Sequence, residues 1–221
     1  MKNWFILICI LILLSGCELN QATIMEEQSN GQNEKVENHN EDVKRDNSYI
    51  PNPQVTDDRS LINVGDTYRD EKGEAQLKAM IPVHKNEQIG PIELTIKHVK
   101  VIHLIPDYSL IDYFHGLTHE KEFDFVKVQV EMKNSSDKEV YFAPIALLET
   151  STGESFDWNH DIYLENLNGP IKGNETKAGN LGFILEKRYD GNIKSIQFMT
   201  SDVVDEQQNK MSEAEEIKIN F

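Results

Sequence analysis

The segment FVKVQVEMKN, residues 125–134, carries the pattern that most restricts the fold. Val126, Val128, Val130 and Met132 alternate with Lys127, Gln129 and Glu131. A period of two puts successive side chains on opposite faces of an extended strand, one face to bury and one to wet. The polar run Asn134-Ser135-Ser136-Asp137 then supplies turn chemistry. The same alternation recurs at Ala75, Leu77, Ala79 and Ile81, and at Ile92, Leu94 and Ile96. There the apolar phase slips to Val99 and Val101, which predicts a β-bulge near Lys97–His98.

A β-rich run from Glu139 to Leu148 leads to a turn at Thr152-Gly153. Further strands are read at Leu181, Phe183 and Leu185, at Ile193–Met199, and at Ile217, Ile219 and Phe221. About seven to nine short strands with intervening turns predict an all-β, antiparallel sandwich of immunoglobulin-like layout. Residues 106–122 lack strand alternation and read as a short helix or long loop. Residues 202–215 are acidic and read as a solvated loop or helical turn.

Composition narrows the possible functions. The chain has 221 residues and a formal net charge of -16. Phosphate backbones bind through Lys and Arg that release counterions, so nucleic acid is not an expected partner. An anionic membrane surface is not expected to hold a basic face of this chain either. The two cysteines are Cys9 and Cys17, so the body has no disulfide, thiolate metal site or cysteine nucleophile.

The first 17 residues, MKNWFILICILILLSGC, place Lys2 before an apolar run from Trp4 to Leu14. About eleven residues at roughly 1.5 Å each do not span a hydrocarbon core about 30 Å thick, so the run reads as an export signal. Leu14-Ser15-Gly16-Cys17 resembles the lipobox of bacterial lipoproteins. The resemblance implies cleavage after residue 16 and lipidation of Cys17. Attached acyl chains would tie the protein to the extracytoplasmic face of the cell membrane. Glu18 to Ser48 is rich in Glu, Asp, Asn and Gln with no apolar periodicity, which predicts a disordered acidic linker over 17–58. A coil of about 40 residues would reach roughly 35 Å. The sandwich domain is assigned to 59–221.

Four pieces carry a second resemblance: VGDTY at 64–68, FVKVQVEMKNSSDKEV at 125–140, ETSTGESF at 149–156 and TKAGNLGFIL at 176–185. In this order they resemble the telokin-like, immunoglobulin-fold domains of unknown function found in Gram-positive surface lipoproteins. The bulky 106–122 insertion departs from that pattern. The resemblance implies a binding or interaction module and transfers no catalytic residue.

Chemistry-bearing patterns are sparse. Asp157, Asn159 and Asp161 have the spacing of a calcium loop with Glu165 further on, but Ile162 stands where the loop needs glycine and Asn168 where it needs a bidentate glutamate. His115 and His119 are one helical turn apart without the glutamate of a zinc peptidase, and Gly116 weakens a helix there. His98 and His103 point to opposite faces of a strand unless a bulge intervenes. No nucleophile elbow, Walker loop or dinucleotide fingerprint is present. No metal, cofactor or catalytic residue is therefore assigned.

Aromatic loop residues are the remaining candidates. Tyr108, Tyr113 and Phe114 in the insertion, with Trp158 and Tyr163 in the 157–163 loop, are read either as anchors for a partner or as a lid over the protein's own core. The expected function is binding of a protein or envelope component. An envelope hydrolase and a cation-binding sensor are the alternatives. A pocket of convergent polar groups would favour the hydrolase, and an apolar surface would favour the binder.

Overall fold

A computed structural model describes residues 51–221, so the assigned signal at 1–16 and most of the linker lie outside the described residues. Thirteen strands and very little helix make this region all-β, with every ladder antiparallel. The strands are β1 (Thr67–Asp70), β2 (Gly73–Ile89), β3 (Ile92–Pro106), β4 (Phe123–Asn134), β5 (Val140–Phe142), β6 (Leu147–Thr150) and β7 (Ser155–Asp157). They continue with β8 (Gly169–Ile171), β9 (Thr176–Ile184), β10 (Ser195–Met199), β11 (Val203–Asp205), β12 (Lys210–Ser212) and β13 (Glu216–Asn220). Three sheets result, in the orders β1-β2-β3-β4-β9, β13-β10-β6-β7 and β12-β11-β5-β8.

The long sheet is covered on both faces. Ile92, Leu94, Ile96, Val99 and Val101 of β3 join Val126, Val128, Val130 and Met132 of β4 in the main core. Across from them lie Phe142, Leu148, Ile171, Phe198 and Ile217 from the two shorter sheets. The predicted bulge is present: the β3–β4 register shifts between Ile96 and His98. It moves the inward set from even to odd positions, which is why one strand carries two apolar phases.

On the outer face Leu77, Ile102, Leu104, Phe123 and Phe125 form a second buried cluster, roofed by Val55, Leu61, Phe114, Ile162 and Tyr163. The alternation predicted a wetted face here. Chain outside the sheet covers it instead, so Phe125 and Lys127 are buried like Val126 between them.

The roof corrects the linker boundary. Residues 51–58, assigned to the linker, are packed into the domain, with Asn52, Val55, Thr56 and Asp58 all buried. Asn52 donates to the carbonyl of Tyr163 at 2.8 Å, and its own side-chain oxygen accepts the N–H groups of Gln54 and Val55. Composition hid this, because the attachment is mostly polar, with Val55 its one side chain in the apolar cluster.

Of two further expectations, the loop or helical turn at 202–215 changes and the short helix within 106–122 is present. Residues 202–215 form the hairpin of β11 and β12, turned by Asp205, whose carboxylate accepts the N–H groups of Gln207 and Asn209. Residues 106–122 hold a 3-10 turn (Tyr108–Leu110) and the short α1 (Ile111–Phe114). Asp107 starts the turn by accepting from the N–H of Ser109.

One close approach fixes the roof to the sheet. Asp161 bridges to Phe183, its carboxylate takes the N–H of Gly182, and the Ile162 N–H bonds the Gly182 carbonyl. This covers the outer edge of β9, which would otherwise offer unpaired backbone to other chains. A Cβ on Gly182 would lie 2.8 Å from Ile162 Cγ1 and from two carbons of the Tyr163 ring. Gly182→Ala is therefore expected to destabilise the domain by about 1–3 kcal/mol through overpacking, read as a lower urea midpoint at unchanged slope.

Candidate functional site

The five aromatic candidates separate by burial. Phe114 is 2% and Tyr163 3% exposed, both inside the outer cluster. Tyr113 is half-buried: its hydroxyl donates to the Ile162 carbonyl at 2.8 Å, and its ring meets Phe114 edge-on at 4.9 Å. Burial first, and then the Asp161 charge, push the Tyr113 hydroxyl up to about 12, so it stays a donor at any physiological pH. The insertion and the 157–163 loop do meet, but through packing. For Tyr113, Phe114 and Tyr163 the core-lid alternative is the one realised. Tyr108 and Trp158 remain 87% and 53% exposed. Cys17 lies outside the described residues.

Trp158 stands beside a cleft. Its position follows from Asp157, which accepts the N–H of Asn159 and starts the 3-10 turn Trp158–His160, while the Trp158 N–H bonds the Ala146 carbonyl. The indole then faces Tyr141 and Phe142 of β5, Gly169 of β8 and Val204 of β11 around about 600 Å³ of open volume. That size falls within the range of small-molecule and side-chain pockets. The Oδ1 of Asn168, in the lining, is buried and has no hydrogen-bond partner among the described residues. An orphan acceptor of this kind costs about 1–3 kcal/mol until a donor reaches it.

Ser201 and Asp202 of the cleft are already engaged. Ser201 accepts from the Ala143 N–H and donates to the Asp202 carbonyl. Asp202 accepts from Lys210 and from the Ala214 N–H, which hold its carboxyl below the usual range. The arrangement can stack an apolar or ring-bearing group on Trp158 and take one hydrogen bond at Asn168.

The calcium-spaced residues are spent on the fold. Asp161 receives the N–H groups of Tyr163, Leu164 and Gly182, and burial raises its pKa above the ordinary value despite those bonds. Glu165 accepts from Asn52 and from both the backbone and side chain of Asn180. His115 and His119 are both exposed, and His119 lies beyond the end of α1. No cluster of three or more metal-ligating side chains occurs among the described residues.

A buried charged group went unseen in the sequence. Asp58 sits between two lysines of the outer face: Lys100 donates to its carboxylate and to its backbone carbonyl, each at 2.8 Å, and Lys127 donates to the other carboxylate oxygen. All three are nearly without solvent contact. Burial alone would raise the Asp58 pKa, but attraction to Lys127 and Lys100 brings it down to about 2. His98 shares this environment. Burial, then the charges of Lys127 and Lys100, pull its pKa down to about 4. The alternation placed Lys127 correctly on a separate face. Only the roof, which no local pattern announces, made that face interior.

Comparison with known proteins follows from this geometry. No family model matches the chain. It is 49% identical over 225 residues to the uncharacterized protein YdhF of Bacillus subtilis, covering 95% of each chain. The chain belongs to the YdhF family. The prophage-derived uncharacterized lipoprotein YonS of Bacillus subtilis is 28% identical over 160 residues, 72% of this chain and 71% of YonS. A functionally unknown protein from Listeria monocytogenes aligns at a TM-score of 0.49 and 14% identity, over 67% of this chain and 88% of that one.

Two outcomes test this picture of a YdhF-family domain. Tyr113→Ala is expected to cost about 1–3 kcal/mol, from lost ring packing and an unpaired Ile162 carbonyl, whereas Trp158→Ala shifts the melting temperature by little. Calorimetry on both variants checks it. His98 takes up its proton in the unfolded chain near the ordinary 6.5 but in the folded chain only near 4. Stability is thus full above that window and falls as pH drops from about 6.5 to about 4, and His98→Gln should flatten this loss in pH-dependent urea melts.

Proposed function

We propose that this YdhF-family chain is an extracytoplasmic lipoprotein, tethered to the cell membrane through Cys17. It carries an immunoglobulin-like binding domain that takes a protein or envelope component in the Trp158 cleft. The cleft carries the binding half of this reading: an exposed indole among apolar walls, beside a buried acceptor with no partner among the described residues. Apolar walls with one orienting polar group suit recognition better than turnover, since the Ser201 hydroxyl and the Asp202 carboxylate in the lining are engaged. We assign it no catalytic residue and no cofactor.

The anchor half is supported by Leu14-Ser15-Gly16-Cys17 at the end of an export-type run, and by YonS being described as a lipoprotein. Among the described residues no helix is long and apolar enough to cross a membrane. Two acyl chains suffice for stable anchoring.

Both halves can be tested in one strain set. Cys17→Ser should move the protein from the membrane pellet to the soluble fraction, and unchanged pelleting at mature length would refute the anchor. Crosslinking in intact cells should give wild type an adduct that Trp158→Ala loses at equal expression. Identical adduct patterns would refute the cleft.

A further inference from the structure

The polar centre of the outer face encloses a second, smaller cavity of about 220 Å³. Asp58, His98, Lys100, Lys127 and Asn180 form its inner side, and the apolar Ile62 and Met80, with Gln129 and the exposed Arg59, its outer side. The two ammonium groups carry more protons than Asp58 receives. Lys100 uses two protons on Asp58, and Lys127 uses one, with the Tyr163 ring 5.4 Å from its nitrogen. Protons of both lysines are left over.

Two further groups in the same lining are unsatisfied. Among the described residues the Nε2 of His98, which as an N–H would donate to an anion, has no hydrogen-bond partner, and neither has the Oδ1 of Asn180, an acceptor that an anion would not serve but a water could. Such orphans are rare in interiors and ask for an occupant. The field there is positive as well, because Lys127 and Lys100 outweigh Asp58 in holding His98 neutral.

We propose that this cavity binds a small organic carboxylate, its head on the spare ammonium protons of Lys100 and Lys127 and its carbon chain against Met80 and Ile62. A charge-assisted pair to a carboxylate is stronger than a neutral bond, and the enclosure shields it from screening. A single negative charge fits better than a phosphate dianion. Asp58 already shares the lysines, and Glu165 lies near enough to act on Lys127. Seven or so water-sized volumes, at about 30 Å³ each, accommodate a chain of a few carbons.

The test uses the full chain in detergent, titrated with sodium butyrate at constant ionic strength against sodium chloride and sodium phosphate. Butyrate is expected to give saturable heat in calorimetry. It should also raise the His98 ring titration, followed by NMR, by at least about one pH unit, because a bound anion favours imidazolium. Met80→Trp, which fills the apolar side, should weaken butyrate roughly tenfold or more, and Lys100→Met should abolish it. If Lys100→Met fails to fold, the wild-type His98 titration and Met80→Trp decide. No difference between butyrate and chloride, or butyrate binding indifferent to Met80→Trp, overturns the proposal. Phosphate binding as tightly as butyrate overturns the carboxylate assignment.

Discussion

One carboxylate between two ammoniums holds the outer layer of this domain in place. Asp58 arrives from the chain ahead of β1, while Lys100 and Lys127 stand on adjacent central strands. Each lysine would be prohibitive to bury alone, and removing one partner of a buried pair typically costs about 3–5 kcal/mol. The pairing is therefore mutual. The lysines fix where residues 51–65 must lie, and that segment is what lets the lysines be interior. Tyr163 and Glu165 close the arrangement from the other side through Asn52 and Asn180.

Two kinds of recess then coexist in one β framework. The Trp158 cleft opens among the short sheets and has apolar walls with one idle acceptor. The lysine cavity lies on the far face of the long sheet and is rich in donors. They differ in what they could hold: the first suits a ring or side chain presented from outside, the second a small ion that loses its water on entry. A chain with net charge -16 spends its few interior charges unevenly, and two of them are cations sharing a single acid.

Much of the framework could be read before any coordinates. Alternation located β2, β3, β4, β9, β10 and β13, and the phase slip after Ile96 located the bulge, because these strands bury one continuous apolar face. The three-residue strands β5, β7, β8, β11 and β12 were beyond that method: three residues give too few alternations to show a period. The site was less legible. Trp158 was marked as a loop aromatic and does line a cleft, but Phe114 and Tyr163 were marked by the same signal and are core. Asp58, Lys100 and His98 gave no local signal. Their meaning depends on contacts more than 40 residues apart in the chain, as between Asp58 and Lys100.

The bulge at Lys97 has a consequence for how this sequence can change. Upstream of it, even-numbered residues of β3 enter the main core; downstream, odd-numbered ones do, leaving His98, Lys100 and Ile102 for the other face. Losing that one residue in an in-frame deletion would restore a single parity along the strand. Every later position would keep its partner and its side, with Val99 and Val101 still in the main core and Lys100 still facing Asp58. This strand can therefore lose the extra residue at 97 and keep both faces, whereas losing one paired residue beyond it would exchange the faces of all that follow.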